Sequence, residues 1–389
     1  MMDHGNPFVI RAAHRRALYL LLLAPAAAAA VESAEPANTL TVTAQRVANL
    51  QPASSYAAAA TALRYDPRVD LQSRGLPEGQ ADVSVRGGLF ENTGFNIGAA
   101  ALFDPQTGHY FADLPVDPNM LSAPQILTGI DNALAGFNST VATVRYDIAP
   151  LRRGGDALVG AGSDALRFVQ LRAAETFDLG GAEALGAAVS YASSRSDGSR
   201  PNGDHEFDRL SLQLQHRGDR HESHLLYGYQ DKFYGWPGAY TGFASLAETD
   251  HTRTHLLLAS HRRDVGAAGW WELAGVFREL DDDYDFDRST RESGIPGAFE
   301  HKTRSRGLSL RGILPGSVVD WRFAAHVVAD ELVRSTDLTG GDFSERSYGK
   351  LSVVPEKTWA WSGDLALTLR AGLSVDVSNR DSNALLPVA

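Results

Sequence analysis

Asp364–Val377 reads DLALTLRAGLSVDV. Leu365, Leu367, Leu369, Ala371, Leu373, Val375 and Val377 occupy every second position, with Asp364, Ala366, Thr368, Arg370, Gly372, Ser374 and Asp376 between them. Successive side chains of a strand point to opposite faces, so this segment has one oily face and one wet face. A helix, advancing about 100° per residue, would bring Leu365 and Arg370 within about 140° of each other and smear both faces. The spacing predicts a strand that meets acyl chains on one side and water on the other.

The same period extends back to about Asp164. Strands are expected at Arg167 to Thr176, Glu183 to Ser194, Asp208 to Arg217, Glu222 to Phe233, Arg253 to Arg263, Trp270 to Leu280, Thr303 to Ile313, Val319 to Glu331 and Tyr348 to Glu356. Their connections alternate in length. Short turns fall at Gly180-Gly181, Gly218-Asp219, Val265 to Gly269, Pro315-Gly316 and Ser362 to Asp364; long polar loops fall at Arg195 to Phe207, Tyr234 to Thr252, Asp281 to Lys302 and Leu332 to Ser347. Short turns on one rim and long loops on the other are the mark of an outer-membrane barrel, and a soluble sandwich has no reason to keep its ends so different. Trp236, Tyr240, Trp270, Trp271, Trp321, Trp359 and Trp361 lie near predicted strand ends, where interfacial girdles sit.

The first thirty residues bound the compartment. Arg11, His14, Arg15 and Arg16 precede a Leu-rich core over Ala17–Ala24, and Ala26–Ala30 supplies small residues for cleavage, so residues 1–30 read as a secretory signal peptide. Pro25 interrupts an apolar run shorter than the roughly 18 residues of a spanning helix. The mature chain is expected to start between Val31 and Glu35. The whole sequence has no Cys, which excludes disulfides and metal-thiolate chemistry, and a net charge of -11, which argues against nucleic acid as a partner. No later apolar run reaches spanning length, although 43% of the residues are hydrophobic, so a membrane would be crossed by strands.

Thr39, Leu40, Thr41, Val42, Thr43 and Ala44 form a β-prone run, TLTVTA, shortly after the expected cut, available to pair with another protein's sheet edge. This run resembles the TonB box of TonB-dependent outer-membrane receptors, and it is close to the box of cobalamin receptors. The intervening Leu50 to Ile148 follows neither the strand rhythm nor a long helical stripe and reads as a small α+β domain. Within it Val83-Ser84-Val85-Arg86-Gly87-Gly88 is similar to the plug strand of that family ending in Arg-Gly. Gln125-Ile126-Leu127-Thr128-Gly129 followed by Ala133-Leu134-Ala135-Gly136 is similar to the plug's closing stretch, with each Gly supplying a positive φ or a close backbone approach. Two departures stand out: Leu102–Tyr110 replaces the usual aspartate-glycine turn, and Thr128 stands where Arg is common.

The resemblance implies four regions: the signal peptide (1–30), a periplasmic segment carrying the box (31–49), an α+β plug (50–148) and a transmembrane antiparallel β-barrel (149–389). Family barrels of this kind close with about 22 strands. Roughly ten or eleven are visible here, and Ser382 to Ala389 looks like the start of another, so the chain reads as a C-terminally truncated, partial barrel. The implied function is active uptake of a bulky, scarce nutrient, cobalamin first and ferric siderophores second, across the Gram-negative outer membrane. Its partners are TonB with the inner-membrane energising complex and outer-membrane lipid.

Ligand contacts are expected at Asn92, Phe95, Asp104, Gln106, His109 and Tyr110 on the plug, and at Tyr234, Trp236, Tyr240 and Phe243 in the aromatic stretch Lys232–Phe243. No nucleophile elbow, phosphate loop or paired-carboxylate site points to catalysis, and no resident cofactor or metal is expected. A passive pore or adhesin and a secreted β-rich enzyme are the alternatives. Asp281, Asp282, Asp283, Asp285 and Asp287 do not match an EF-hand and read as a solvated outer loop rather than a calcium site. His221 with His224, and His251 with His255, have helical zinc spacings but no matching geometry on strands.

Overall fold

The computed structural model describes residues 56–73, 78–243, 245–288, 298–336, 344–360 and 366–388. The expected signal peptide and the box at Thr39–Ala44 lie outside the described residues. After a 3-10 segment at Ala59–Tyr65, β1 (Val69–Ser73) pairs antiparallel with β2 (Ala81–Val85). Then β3 (Thr93–Ile97), β4 (Ala100–Leu102), β5 (Gln125–Thr128) and β6 (Ala142–Tyr146) form a four-stranded sheet in the order β4-β3-β6-β5, with β3 and β6 parallel. A short helix α1 (Ile130–Ala135) follows β5. Gly129, with φ of +59°, turns the chain from β5 into α1, a conformation that costs a residue bearing a Cβ. At the other end of α1, Gly136 lies so close to Ser139 and the Asn132 carbonyl that a Cβ there would collide with both.

The rest of the chain is one antiparallel sheet of thirteen strands. They are β7 (Gly154–Ala161), β8 (Arg167–Gly180), β9 (Glu183–Ser196), β10 (His205–Arg217), β11 (His221–Gly235), β12 (Thr249–Val265), β13 (Gly269–Asp285), β14 (Ala298–Leu314), β15 (Asp320–Ser335), β16 (Glu345–Ala360), β17 (Ala366–Arg370), β18 (Gly372–Ser378) and β19 (Ala384–Val388). Each pairs with its sequence neighbour, except that β17 and β18 both pair with β16; β7 and β19 end the order. One face carries Leu210, Leu212, Leu214, Leu225, Leu257, Leu273, Phe277, Leu308, Val327 and Leu351, all exposed. Leu226, Leu256, Leu258, Ala274 and Val328 point the opposite way and share a core with Phe95, Ile97, Val144 and Tyr146 of the smaller sheet. The small domain is a plug packed against the wet, inward face of a curved wall.

Three differences from the sequence reading have physical causes. Of the expected strand Asp364–Val377, Asp364 and Leu365 lie outside the described residues and the rest is not one strand: the register is the same either side of a break, and it sets Ala371 opposite Pro355, which has no N–H to give the ladder. Most strands run several residues farther toward the long loops than expected, so much of the expected loops is paired backbone. There Asp250, Thr252, Asp282 and His301 continue the ladder after the apolar alternation has stopped, because an oily face is needed only where acyl chains touch it. The Gly-rich β7, with weak alternation, was not anticipated.

Candidate functional site

The inward row of the wall grips the plug through buried charge. Asp104, on the loop after β4, accepts hydrogen bonds from Arg278 Nη1 of β13 at 3.0 Å and Thr303 Oγ1 of β14 at 3.1 Å, while Arg278 Nη2 donates to the Tyr110 carbonyl at 2.9 Å. The Arg278 and Asp104 side chains are only 5% and 2% exposed, so each depends on the other for compensation. Nearby, Lys232 Nζ of β11 lies 2.8 Å from Asp113 Oδ2 and donates to the Glu78 carbonyl at 3.0 Å, and Gln230 donates to Asp113 at 2.8 Å. The phenols of Tyr110 and Tyr234 both donate to Asp250 Oδ2, at 3.2 and 2.6 Å, and Gln106 donates to Asp282. Burial, followed by the Asp250 and Asp282 carboxylates, holds the Tyr110 phenol well above its ordinary pKa, which keeps it a donor.

A second tier lies nearer the short turns. Glu272 of β13 accepts from the Ala99 amide at 3.0 Å and from Arg311 Nε of β14 at 2.8 Å; Arg311 also reaches Asp147 at 3.1 Å. Lys350 donates to the Gly136 carbonyl at 2.6 Å, and the Leu151 amide donates to Gln215 at 2.8 Å. The wall's inward polar and charged groups therefore bond the plug directly.

On the long-loop side the plug meets aromatic rings. His109 stacks on Phe90 with centroids 4.6 Å apart, bonds Asp82 at 2.6 Å, and faces the edge of Tyr240 at 5.9 Å. Tyr240 stands edge-on to Trp236 at 5.0 Å and to Tyr284 at 5.6 Å, and its hydroxyl donates to Gln80 at 3.0 Å. Tyr240 and Phe243 remain 42% and 66% exposed, and Leu89, Glu91 and Thr107 of the plug are exposed as well. This mixed surface of exposed rings and polar plug apices suits a large, partly apolar ligand.

No protein-family model matches the sequence, and no curated protein matches it. Solved structures do. The chain is similar to the copper transporter OprC, with a TM-score of 0.61 at 14% identity over 84% of this chain and 56% of that one. It is similar to the ferripyoverdine receptor of the Pseudomonas aeruginosa outer membrane, with a TM-score of 0.58 at 13% identity over 84% and 51%. It is also similar to the ferric citrate transporter FecA, with a TM-score of 0.54 at 13% identity over 82% and 55%. The fold is that of the TonB-dependent outer-membrane receptors. The chain spans about half the length of those structures.

Within this receptor fold the expected ligand residues separate into two groups. Phe95 is 2% exposed in the plug core, Tyr234 and Trp236 are buried with Tyr56, Ala192 and Phe207, and Asp104 and Tyr110 are committed to the wall. These five do not present a surface to solvent. Asn92 and Gln106 are half-buried, with Gln106 turned to Asp282, while His109 meets Tyr240 and Phe243 is exposed in the same loop as Tyr240. Of the expected girdle, Trp321 and Trp359 are exposed, Trp236 is internal, Trp270 lies under the guanidiniums of Arg262 and Arg311, and Trp361 lies outside the described residues.

The acidic run is strand rather than loop as far as Asp285, so successive carboxylates diverge: Asp281 meets Lys302 at 3.0 Å and Asp282 meets Gln106. His251 and His255 bond Asp231 and Tyr227 separately. Arg278, Lys232, Asp113, Asp250, Glu272 and Arg311 were not singled out by sequence reasoning. The available signal was charge recurring on the wet row of consecutive strands, but a water-filled lumen produces the same pattern.

Proposed function

We propose that this chain contributes the plug and wall of a TonB-dependent transporter that draws a bulky, scarce nutrient across the Gram-negative outer membrane. The observation that carries the reading is the plug clasped by paired lumen charges: a passive pore gains nothing from filling its channel this way. Breaking a buried pair is costly, so the plug stays shut until work is done on it. In this reading Thr39–Ala44 adds as a strand to TonB, whose inner-membrane complex, driven by the proton gradient, pulls on the plug. Nothing in the reading calls for catalysis.

The ligand class is a metal chelate or corrinoid engaged at Tyr240, Phe243 and His109 with the plug apices around Asn92 and Gln106. The copper, ferric citrate and ferripyoverdine ligands named for the structural neighbours favour a metal complex, and a ferric siderophore is the leading candidate within that class. Cobalamin is the second reading, favoured by the likeness of TLTVTA to the cobalamin-receptor box. A binding titration of a full-length form against cobalamin and a siderophore panel separates the two. Uptake that survives deletion of Thr39–Ala44 would refute energised transport in favour of a passive pore or adhesin.

A further inference from the structure

The short turns after β8 and β10 bring three metal-ligating side chains from different strands together on the outward face. Glu183 opens β9, His216 lies near the end of β10 and His221 opens β11; one donor atom from each lies within 4.8 Å of the other two. His216 Nε2 is 2.8 Å and His221 Nε2 is 3.7 Å from the same Glu183 oxygen, Oε2. That oxygen is buried and makes no hydrogen bond among the described residues, and the two imidazoles are within ion-pairing distance of it. The imidazoles are 5.2 Å apart, and His221 in turn stacks 6.0 Å from His261, whose Nδ1 lies 2.8 Å from Ser223 Oγ. Gly218 makes room: a Cβ there would come within 2.4 Å of His221 Cε1 and 2.5 Å of Glu183 Oε1. The outward rows continue into Leu185, Leu214 and Leu225, which sets the cluster beside the oily band and away from the lumen.

We propose that Glu183, His216 and His221 bind a divalent transition-metal cation of the zinc class on the outer surface of the wall. Two imidazoles and a carboxylate are a recurrent three-residue set for this ion, with water in the fourth position. Bonds of about 2.0–2.1 Å place tetrahedral donors about 3.3 Å apart, so modest side-chain rotation at the strand ends closes the set. The expected helical partner of His221, His224, has no part in it: three residues along a strand reverse the face, and His224 meets Glu222 at 3.2 Å instead. A bound ion joins three consecutive strand ends at the rim.

The test is zinc chloride titrated by calorimetry into the full chain in detergent, with cobalt(II) visible absorption reporting coordination geometry. One ion per chain is expected, with His216→Ala, His221→Ala and Glu183→Gln each weakening binding roughly 10- to 100-fold or more, by comparison with the loss from weaker outer-shell changes. His255→Ala, outside the cluster, should bind as the parent does. Glu183→Gln keeps size and shape, so it carries the test if a histidine variant does not fold. Absence of saturable binding, or equal binding by the parent and the Glu183→Gln and His216→Ala variants, overturns the proposal.

Discussion

Replacing Arg278 by alanine removes the counter-charge of a carboxylate whose side chain is 2% exposed. Asp104 would keep Thr303 Oγ1 and the Gln106 amide, at 3.1 and 3.0 Å, but lose its only charged partner in the contacts described above, and the Tyr110 carbonyl would lose its donor. Breaking one side of a buried pair costs about 3–5 kcal/mol, because the remaining charge stays desolvated. Each 1.4 kcal/mol is tenfold in an equilibrium, so plug opening should rise by roughly two to three and a half powers of ten. The assay is amide hydrogen exchange across β3 and β4, residues 93–102, in detergent-solubilised protein. Removing both partners in Asp104→Ala with Arg278→Ala should restore much of the protection, since no unpaired charge is left. A loss below about 1 kcal/mol for Arg278→Ala, the value of an exposed pair, would show that this contact does not hold the plug.

Proline at Leu40 or Val42 should abolish ligand uptake by a full-length form, whereas alanine should be tolerated, because strand pairing depends on backbone N–H groups; unchanged uptake in the proline variants would exclude strand addition at the box. Leu212→Arg, in the middle of an exposed leucine row on β10, should destabilise the protein in lipid vesicles by about 2–4 kcal/mol in a urea titration, and a neutral result would remove the wall from the membrane. Gly129→Ala should cost about 1–3 kcal/mol in thermal or urea unfolding, through backbone strain, since no atom beyond its chain neighbours lies within 4 Å of the added Cβ. Tyr240→Ala and Phe243→Ala should weaken binding of the transported ligand, Phe243→Ala with little change in stability and Tyr240→Ala with some loss because Gln80 and the Trp236 and Tyr284 rings lose a partner; unaltered affinity in both would move the ligand face away from this rim.

Period-2 alternation and the short-long rhythm of connections were sufficient to derive a membrane wall, because lipid and water impose opposite chemistry on the two faces of every strand. The glycines bounding the plug's closing stretch were legible for a similar reason: Gly129 and Gly136 occupy backbone positions that other residues fit poorly. The outer strand ends were not legible, since beyond the acyl chains both faces are polar and only backbone pairing continues.

What remained for tertiary structure was which polar residues meet. Arg278 and Asp104 are 174 residues apart, and Glu272 and Ala99 are 173 apart. No local pattern links such partners; curvature of the wall around the plug does. The same holds for His216, His221 and Glu183, joined by register across three strands, and for Phe95 and Trp236, whose aromatic character suits a ligand face and a core equally until packing covers them. Sequence alone determined the face each side chain presents, because that is a property of the strand; the partner on that face is set by the fold.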